Sequence, residues 1–222
     1  MAMQPRNVRQ RIGSQLIRES IILAAEDLFA KKTFAGTSIR QIADKAHVNI
    51  ATIYYYFQNK RALHSEVLIR AYEGLHSYVE SAARNDNEKP KKRLYNLLNA
   101  AAKFLNENPK AHRLILQVGL EDSLDTEKAW QSHLRRTRAL INETIEDGIR
   151  SGGFRAVNVE AFSFGLMSAL IGFFTSRVTF LKLFREKQPD AFFNENLPFP
   201  ILGMTLDGLS IENSQRKPKR GD

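Results

Sequence analysis

The sequence predicts an all-α protein in two parts, a module of short helices at the N-terminus and a body of longer helices behind it. Three observations predict this. Apolar residues recur at spacings of three and four along nearly the whole chain, the signature of helices buried on one face. No segment alternates apolar and polar residues, and no hairpin turn signal or internal repeat is present. The net charge of +9 is unevenly placed: residues 1–60 carry +5, residues 84–93 carry +3 and residues 214–222 carry +3, while residues 94–213 sum to −1. Of the 222 residues, 43% are hydrophobic and 26% charged, enough to bury a core and too apolar for a disordered chain. Cysteine is absent, which excludes a disulfide framework, a cysteine nucleophile and a thiolate zinc site. Met1–Ser14 is polar and Arg-rich with no signal-like apolar run, so a cytoplasmic location is expected.

From Ser14 to Lys32, Ile17, Ile21, Ala24, Ala25, Leu28 and Phe29 form one helical stripe. Thr37 or Ser38 then caps a short helix with Ile39, Ile42, Ala43 and Ala46 on one face, and Asn49 caps another with Ile53 and Phe57 turned inward. A fourth helix starts near Asn59 and runs past Ala82 with Leu63, Val67, Ala71, Leu75 and Tyr78 on one side. The polar run Arg84–Lys89 and Pro90 break it. Leu94 to Leu105 mark the next helix, Ala111 to Val118 another, and Glu121–Glu127 reads as an acidic loop. A long helix from Trp130 to Ile149 stops at Gly152-Gly153. Val159–Arg185 is the most apolar helix, and a last short one spans Ile201–Leu209.

The two short helices separated by Ala46-His47-Val48 make a helix-turn-helix, whose second helix has the size to enter a major groove about 12 Å wide. With Ile53 and Phe57 inward, Ala51, Thr52, Tyr55 and Tyr56 must project outward. Three consecutive tyrosines, 54 to 56, on a short helix suit phosphate and sugar contacts, the alternative being plain packing on neighbouring helices. His47 occupies a turn position where glycine would take a left-handed backbone most easily.

Here the residues carry a resemblance. Ile22–Phe29 (ILAAEDLF), Gly36–Ala43 (GTSIRQIA) and Thr52–Leu63 (TIYYYFQNKRAL) are similar to the N-terminal domain of TetR-type transcriptional regulators. The likeness covers about residues 14–65; beyond it only length, helical content and placement agree. It implies that Thr37 contacts phosphate, and that Arg40 reaches phosphate or a base edge. Ile50, Ala51 and Thr52 would read bases, while Tyr54, Tyr55 and Tyr56 clamp the backbone. Lys60 would hold a phosphate at the start of the fourth helix. It further implies a homodimer on palindromic double-stranded operator DNA, released when a small-molecule effector binds the C-terminal domain. The two-fold follows from physics as well, because one recognition helix spans too few base pairs to be selective.

In the apolar helix the charge-free stretch Ala161–Ser176 is shorter than the roughly 20 residues that span a bilayer, so no membrane partner is expected. Gly165, Ala169, Gly172 and Ser176 form a small-residue stripe that permits close helix approach, either across a dimer interface or within the chain. Phe104, Trp130, Met167, Phe173 and Phe174 are candidates to line an apolar effector pocket, or are plain core. His112 and His133 lack a ligand at metal spacing on their own helices, and no metal or cofactor is expected. No phosphate loop, nucleophile elbow or zinc helix is present, and Glu121-Asp122 and Glu146-Asp147 diverge by about 100° on a helix, so an enzyme is not expected.

The organisation expected is a basic arm at 1–13, a three-helix DNA-binding domain at 14–60, a helical effector-binding and dimerisation domain at 61–213 joined through the long fourth helix, and a basic tail at 214–222. The function expected is a ligand-responsive homodimeric repressor. The rivals are an activator or architectural DNA binder without a switch, and a helical protein-interaction module.

Overall fold

The computed structural model describes residues 5–83, 88–118, 129–184 and 199–211. Among these, nine α-helices follow in order: α1 Pro5–Lys32, α2 Ile39–Ala46, α3 Ile50–Tyr56, α4 Lys60–Ala82, α5 Pro90–Glu107, α6 Pro109–Val118, α7 Ala129–Arg150, α8 Val159–Phe184 and α9 Phe199–Leu209. The sole extended pairing among the described residues is an isolated antiparallel bridge between Phe154 and Ser210. The acidic loop 121–127 and the tail 214–222 lie outside the described residues.

The chain divides into two compact units. The first comprises the residues up to Tyr72 together with Lys110–Trp130; the second comprises Glu73–Pro109 and the residues from Gln131 onward. The division therefore falls inside α4 and not at residue 60, and α6 from Lys110 belongs with the N-terminal helices. The reason is local packing: His64 of α4 lies edge-on to Phe29 of α1 at 4.7 Å, and Tyr72 stacks on Trp130 at 5.0 Å.

In the first unit, α1 starts at Pro5, nine residues before the expected Ser14, so the arm is helical from there on. A proline in the first turn has no N–H to lose. Ile21, Ile22, Ala25 and Phe29 are fully buried and form the floor against which α2 rests. Each short helix is held at its start by a side chain. Ser38 Oγ accepts from Gln41 N–H at 3.2 Å while Gln41 Oε1 accepts from Ser38 N–H at 3.1 Å, a reciprocal cap. Asn49 Oδ1 accepts from Thr52 N–H at 2.7 Å, and Asn59 Oδ1 from Ala62 N–H at 2.8 Å. Helices of seven and eight residues are too short to persist alone, so these caps and the buried Ile42, Ala43 and Ile53 set them. At Gly36 the chain passes so close to the Lys32 carbonyl that a Cβ would collide with it.

In the second unit, α5 buries Leu94, Leu97, Leu98, Ala101, Ala102, Phe104 and Leu105. The face turned toward it on α8 is Ser163, Leu166, Leu170 and Phe174, all buried. α7 contributes Ile141, Thr144 and Ile145 and ends where Gly152 adopts φ +73°; Phe154 then folds back onto the bare surface of Gly148. Lys91 of α5 pairs with Asp207 of α9 at 2.7 Å. The window Val159–Ser176 of α8 is long and apolar enough to cross a membrane, so length alone does not separate spanning from packing. Its buried face supplies that distinction in part, and its exposed face carries small residues and hydroxyls together with Phe164.

Candidate nucleic-acid interface

The interface is built on α3. The turn before it requires a left-handed residue, and His47 takes it with φ 56° and ψ 42°. Its own N–H and that of Val48 close onto carbonyls of α2, Val48 N–H reaching Ala43 O at 3.0 Å. With Ile53 and Phe57 buried, α3 turns Ile50, Ala51, Tyr54 and Tyr55 outward, Tyr55 being 80% exposed. Seven residues at about 1.5 Å each make a rod of about 10 Å, short enough to lie in a major groove. Two exposed tyrosines beside an exposed isoleucine form an apolar patch of the kind that meets another molecule.

The predicted contact residues do not all face outward. Thr37 is 2% exposed; its Oγ1 donates to Thr33 O at 2.8 Å and to Leu28 O at 3.3 Å. The expected phosphate contact from its side chain is therefore corrected: this hydroxyl ties the α1–α2 connection, because a buried hydroxyl must find an acceptor within the protein and these carbonyls supply it. Lys60 Nζ donates to Phe34 O and Thr37 O, each at 2.8 Å, and sits 4.2 Å from the Phe34 ring centroid. Two of its three donors thus brace the same connection. Thr52 Oγ1 donates to Asn49 Oδ1 at 2.8 Å, which turns its polar proton back onto the cap. Tyr56 is half-buried and its Oη shares a hydrogen bond with Ser14 Oγ at 2.8 Å, so of the three tyrosines only Tyr54 and Tyr55 are openly exposed. Arg40 stands exposed on α2.

One residue the sequence reading passed over organises this unit. Asp27 of α1, 8% exposed, accepts from Lys45 of α2 at 2.9 Å, from Lys31 at 3.1 Å and from Lys110 of α6 at 3.2 Å. The Lys45 hydrogen bond foremost, then those of Lys31 and Lys110, hold its carboxyl well below the usual carboxylate range against the opposing effect of burial. Only the spacing of four to Lys31 was visible in the sequence. His64, 3% exposed between Phe29 and Phe34, has its pKa pushed down to about 4, by burial first and by the Lys60 charge second.

The candidate pocket residues are not gathered as expected. Trp130 belongs to the first unit, stacked on Tyr72, whereas Phe104, Met167, Phe173 and Phe174 belong to the second. Phe104 is core, ring to ring with Tyr78 at 5.2 Å and covering Gly74; Phe174 is buried and meets the half-buried Phe173 edge-on at 5.3 Å, and Met167 is half-buried. The cleft described in the second unit is lined instead by Glu88, Pro90, Arg93, Thr144, Asp147, Arg150 and Ser151, a polar set that includes none of the five. His76, 5% exposed, places Nδ1 3.2 Å from Thr137 Oγ1. That hydroxyl donates to His133 O at 3.0 Å, so His76 Nδ1 carries the proton. Among the described residues no group of three His, Asp or Glu is placed to hold a metal ion. Gly165, Ala169, Gly172 and Ser176 are all exposed, and a Cβ at either glycine would meet open space.

Comparison with known proteins agrees with this geometry. Residues 21–67 match the family of bacterial regulatory proteins, tetR family. YttP of Bacillus subtilis is 28% identical over 155 residues, spanning 69% of this chain and 75% of YttP. The transcriptional repressor NicS of Pseudomonas putida is 28% identical over 166 residues, 72% of this chain and 76% of its own. The transcriptional activator FasR of Mycolicibacterium smegmatis is 25% identical, over 71% and 72%. Among solved structures, a TetR family regulator from Marinobacter aquaeolei superposes with a TM-score of 0.68 at 17% identity, covering 91% of this chain and 98% of its own. AibR, solved with isovaleryl coenzyme A and operator DNA, gives 0.63 at 18%, covering 72% and 86%. Residues 21–67 thus carry the helix-turn-helix domain of the tetR family of bacterial regulatory proteins, and the described helices share the fold of solved TetR family regulators.

Proposed function

We propose that this chain is a homodimeric repressor that reads a palindromic operator in the cytoplasm and releases it when a small effector binds the second unit. The observation that carries the reading is the outward face of α3: Ile50, Ala51, Tyr54 and Tyr55 are exposed on a helix whose caps and buried Ile53 fix which side it turns to the core. Ala and Ile side chains suit thymine methyl groups, and tyrosines suit sugar and phosphate. Arg40 and the Lys60 ammonium lie on the elements flanking that face and add positive charge for phosphate.

The two-fold rests on α8. Its exposed face, with Gly165, Ala169, Gly172 and Ser176 in line and Phe164 69% exposed, lets a second helix approach closely while giving it an aromatic to cover. The relatives include one protein named a repressor and one named an activator, NicS and FasR. The same reading head serves both, so where the operator lies relative to a promoter decides between them. Effector binding acts through α4, which runs without a break from Lys60 to Ala82. The effector is small; the apolar one expected from the sequence has against it the polar lining of the cleft in this unit, Glu88, Arg93, Thr144, Asp147 and Arg150.

Selection of duplexes from a random library, with wild type and Tyr55→Ala in parallel, tests the reading. A palindromic consensus recovered by wild type alone, with affinity lowered about tenfold to a hundredfold in Tyr55→Ala, is expected. Binding without a consensus that fades as salt rises would leave only phosphate attraction and favour the interaction-module reading. With the operator in hand, a compound that lowers operator affinity identifies the effector; retained affinity with every compound bound by the protein would point to the regulator without a switch.

A further inference from the structure

The part of α1 that precedes the matched family domain is bound to the helices that follow it. Ser14 shares a hydrogen bond with Tyr56 at 2.8 Å. One turn on, Arg18 pairs with Glu66 at 2.8 Å, and its guanidinium carbon lies 5.3 Å from the Phe57 ring centroid. Beside it, Glu19 accepts both ends of the Arg70 guanidinium at 2.5 Å. All three residues lie N-terminal to residue 21, where the family match begins. Their partners lie at the end of α3, just after it and along α4.

We infer that residues 14–19 are a positioning segment for DNA recognition, in which Ser14 sets Tyr56, and Tyr56 in turn sets Tyr55. This rests on the reading of the outward face of α3 as the DNA contact. The two tyrosine rings meet edge to face, centroids 5.0 Å apart and planes at 86°. Tyr55 is 80% exposed, and the ring of Tyr56 is the wall beside it. Tyr56 in turn has a half-buried ring with its hydroxyl anchored on α1. A long aromatic side chain free in water loses rotamer entropy when it docks on a duplex, and a fixed wall removes part of that cost beforehand. Arg18 and Glu19 hold the α1 backbone against α3 and α4, so that Ser14 arrives at a defined place.

The test measures the affinity of Ser14→Ala, Ser14→Thr, Tyr56→Phe and the Ser14→Ala/Tyr56→Phe double variant for two duplexes, the consensus selected by wild type and a scrambled duplex of equal length. Alanine is the better helix former, so Ser14→Ala keeps α1 intact, which thermal unfolding checks. Ser14→Ala and Tyr56→Phe should each weaken consensus binding by about threefold to tenfold and leave scrambled-duplex binding unchanged. The double variant should be no weaker than the worse single one, and Ser14→Thr should match wild type, since both hydroxyls serve one bond. Additive losses, equal losses on both duplexes, or no loss would each overturn the assignment. Tyr55→Ala is measured alongside: if it binds the consensus as wild type does, the DNA-contact reading of α3 itself fails, which is a different outcome from a Ser14 that does not couple to Tyr56.

Discussion

The two units of this chain use helices in opposite ways. In the first, helices of seven and eight residues are fixed by polar side chains: Ser38 and Asn49 cap them, Thr37 and Lys60 bind the connection between α1 and α2, and Asp27 gathers three lysines. In the second, the helices of 18, 22 and 26 residues bury long rows of apolar side chains, among them Leu94, Leu97, Leu98, Ile141, Ile145, Leu166 and Leu170, and ion pairs such as Lys91–Asp207 and Arg138–Glu160 lie at the surface. Short helices cannot bury enough surface to define their own angle, so directional bonds do it; long ones define it by packing. The unit that must present side chains in one exact array is the one built from directional bonds.

The largest expected effect separates the units by charge. Gly172→Arg places a cation in the exposed small-residue face of α8, where Gly172 has open space around it. Burying that charge in a dimer interface should weaken self-association on the order of a hundredfold, seen by light scattering, while the first unit melts as before. A variant that stays dimeric would move the interface elsewhere.

The next distinguishes the units by pH. His64 titrates near 4 in the folded first unit against 6.5 in the open chain. Between those values the unfolded chain binds a proton that the folded chain refuses, so stability is full above about 6.5 and falls as pH drops toward 4. The loss is on the order of 3 kcal/mol. Unfolding of His64→Leu against pH should lose this slope; an unchanged slope would assign it to another group. Asp27 works in a lower window: its folded pKa lies below 3.8, so its contribution is present above that value and goes as pH falls through the folded one.

A smaller effect concerns the connection between α1 and α2. Gly36→Ala should cost about 1–3 kcal/mol in denaturant unfolding, since the new methyl meets the Lys32 carbonyl, which is backbone and cannot swing aside. The smallest sharpens the turn: His47→Gly relieves a left-handed non-glycine residue and should stabilise the first unit by about 0.5–1 kcal/mol, with operator affinity within about twofold of wild type. Destabilisation would mean that the His47 side chain has a role of its own.

Much of the fold was legible because local chemistry speaks locally. Asn49 and Asn59 announced helix starts that the structure has, Gly152 announced the end of α7, and the positions of Ile53 and Phe57 told which face of α3 was inward. The site was legible only in part. Of the four residues that spacing turned outward, Ala51 and Tyr55 are exposed, while Thr52 and Tyr56 are half-buried; Arg40, Ile50 and Tyr54, named through the resemblance, are exposed, and Thr37 and Tyr56 are held by other parts of the chain. A hydroxyl looks the same in sequence whether it faces water or another hydroxyl 42 residues away.

Helix existence, the capped helix starts at Ser38, Asn49 and Asn59 and the buried positions Ile53 and Phe57 follow from residues within a turn or two of one another, and those the sequence determined alone. Which hydroxyl is left for a ligand, that α6 travels with the N-terminal helices through Lys110 and Asp27, and that Trp130 lies on Tyr72 depend on residues far apart in the chain. Only the tertiary structure decided those, because the energy of a polar or aromatic group is set by what surrounds it in space.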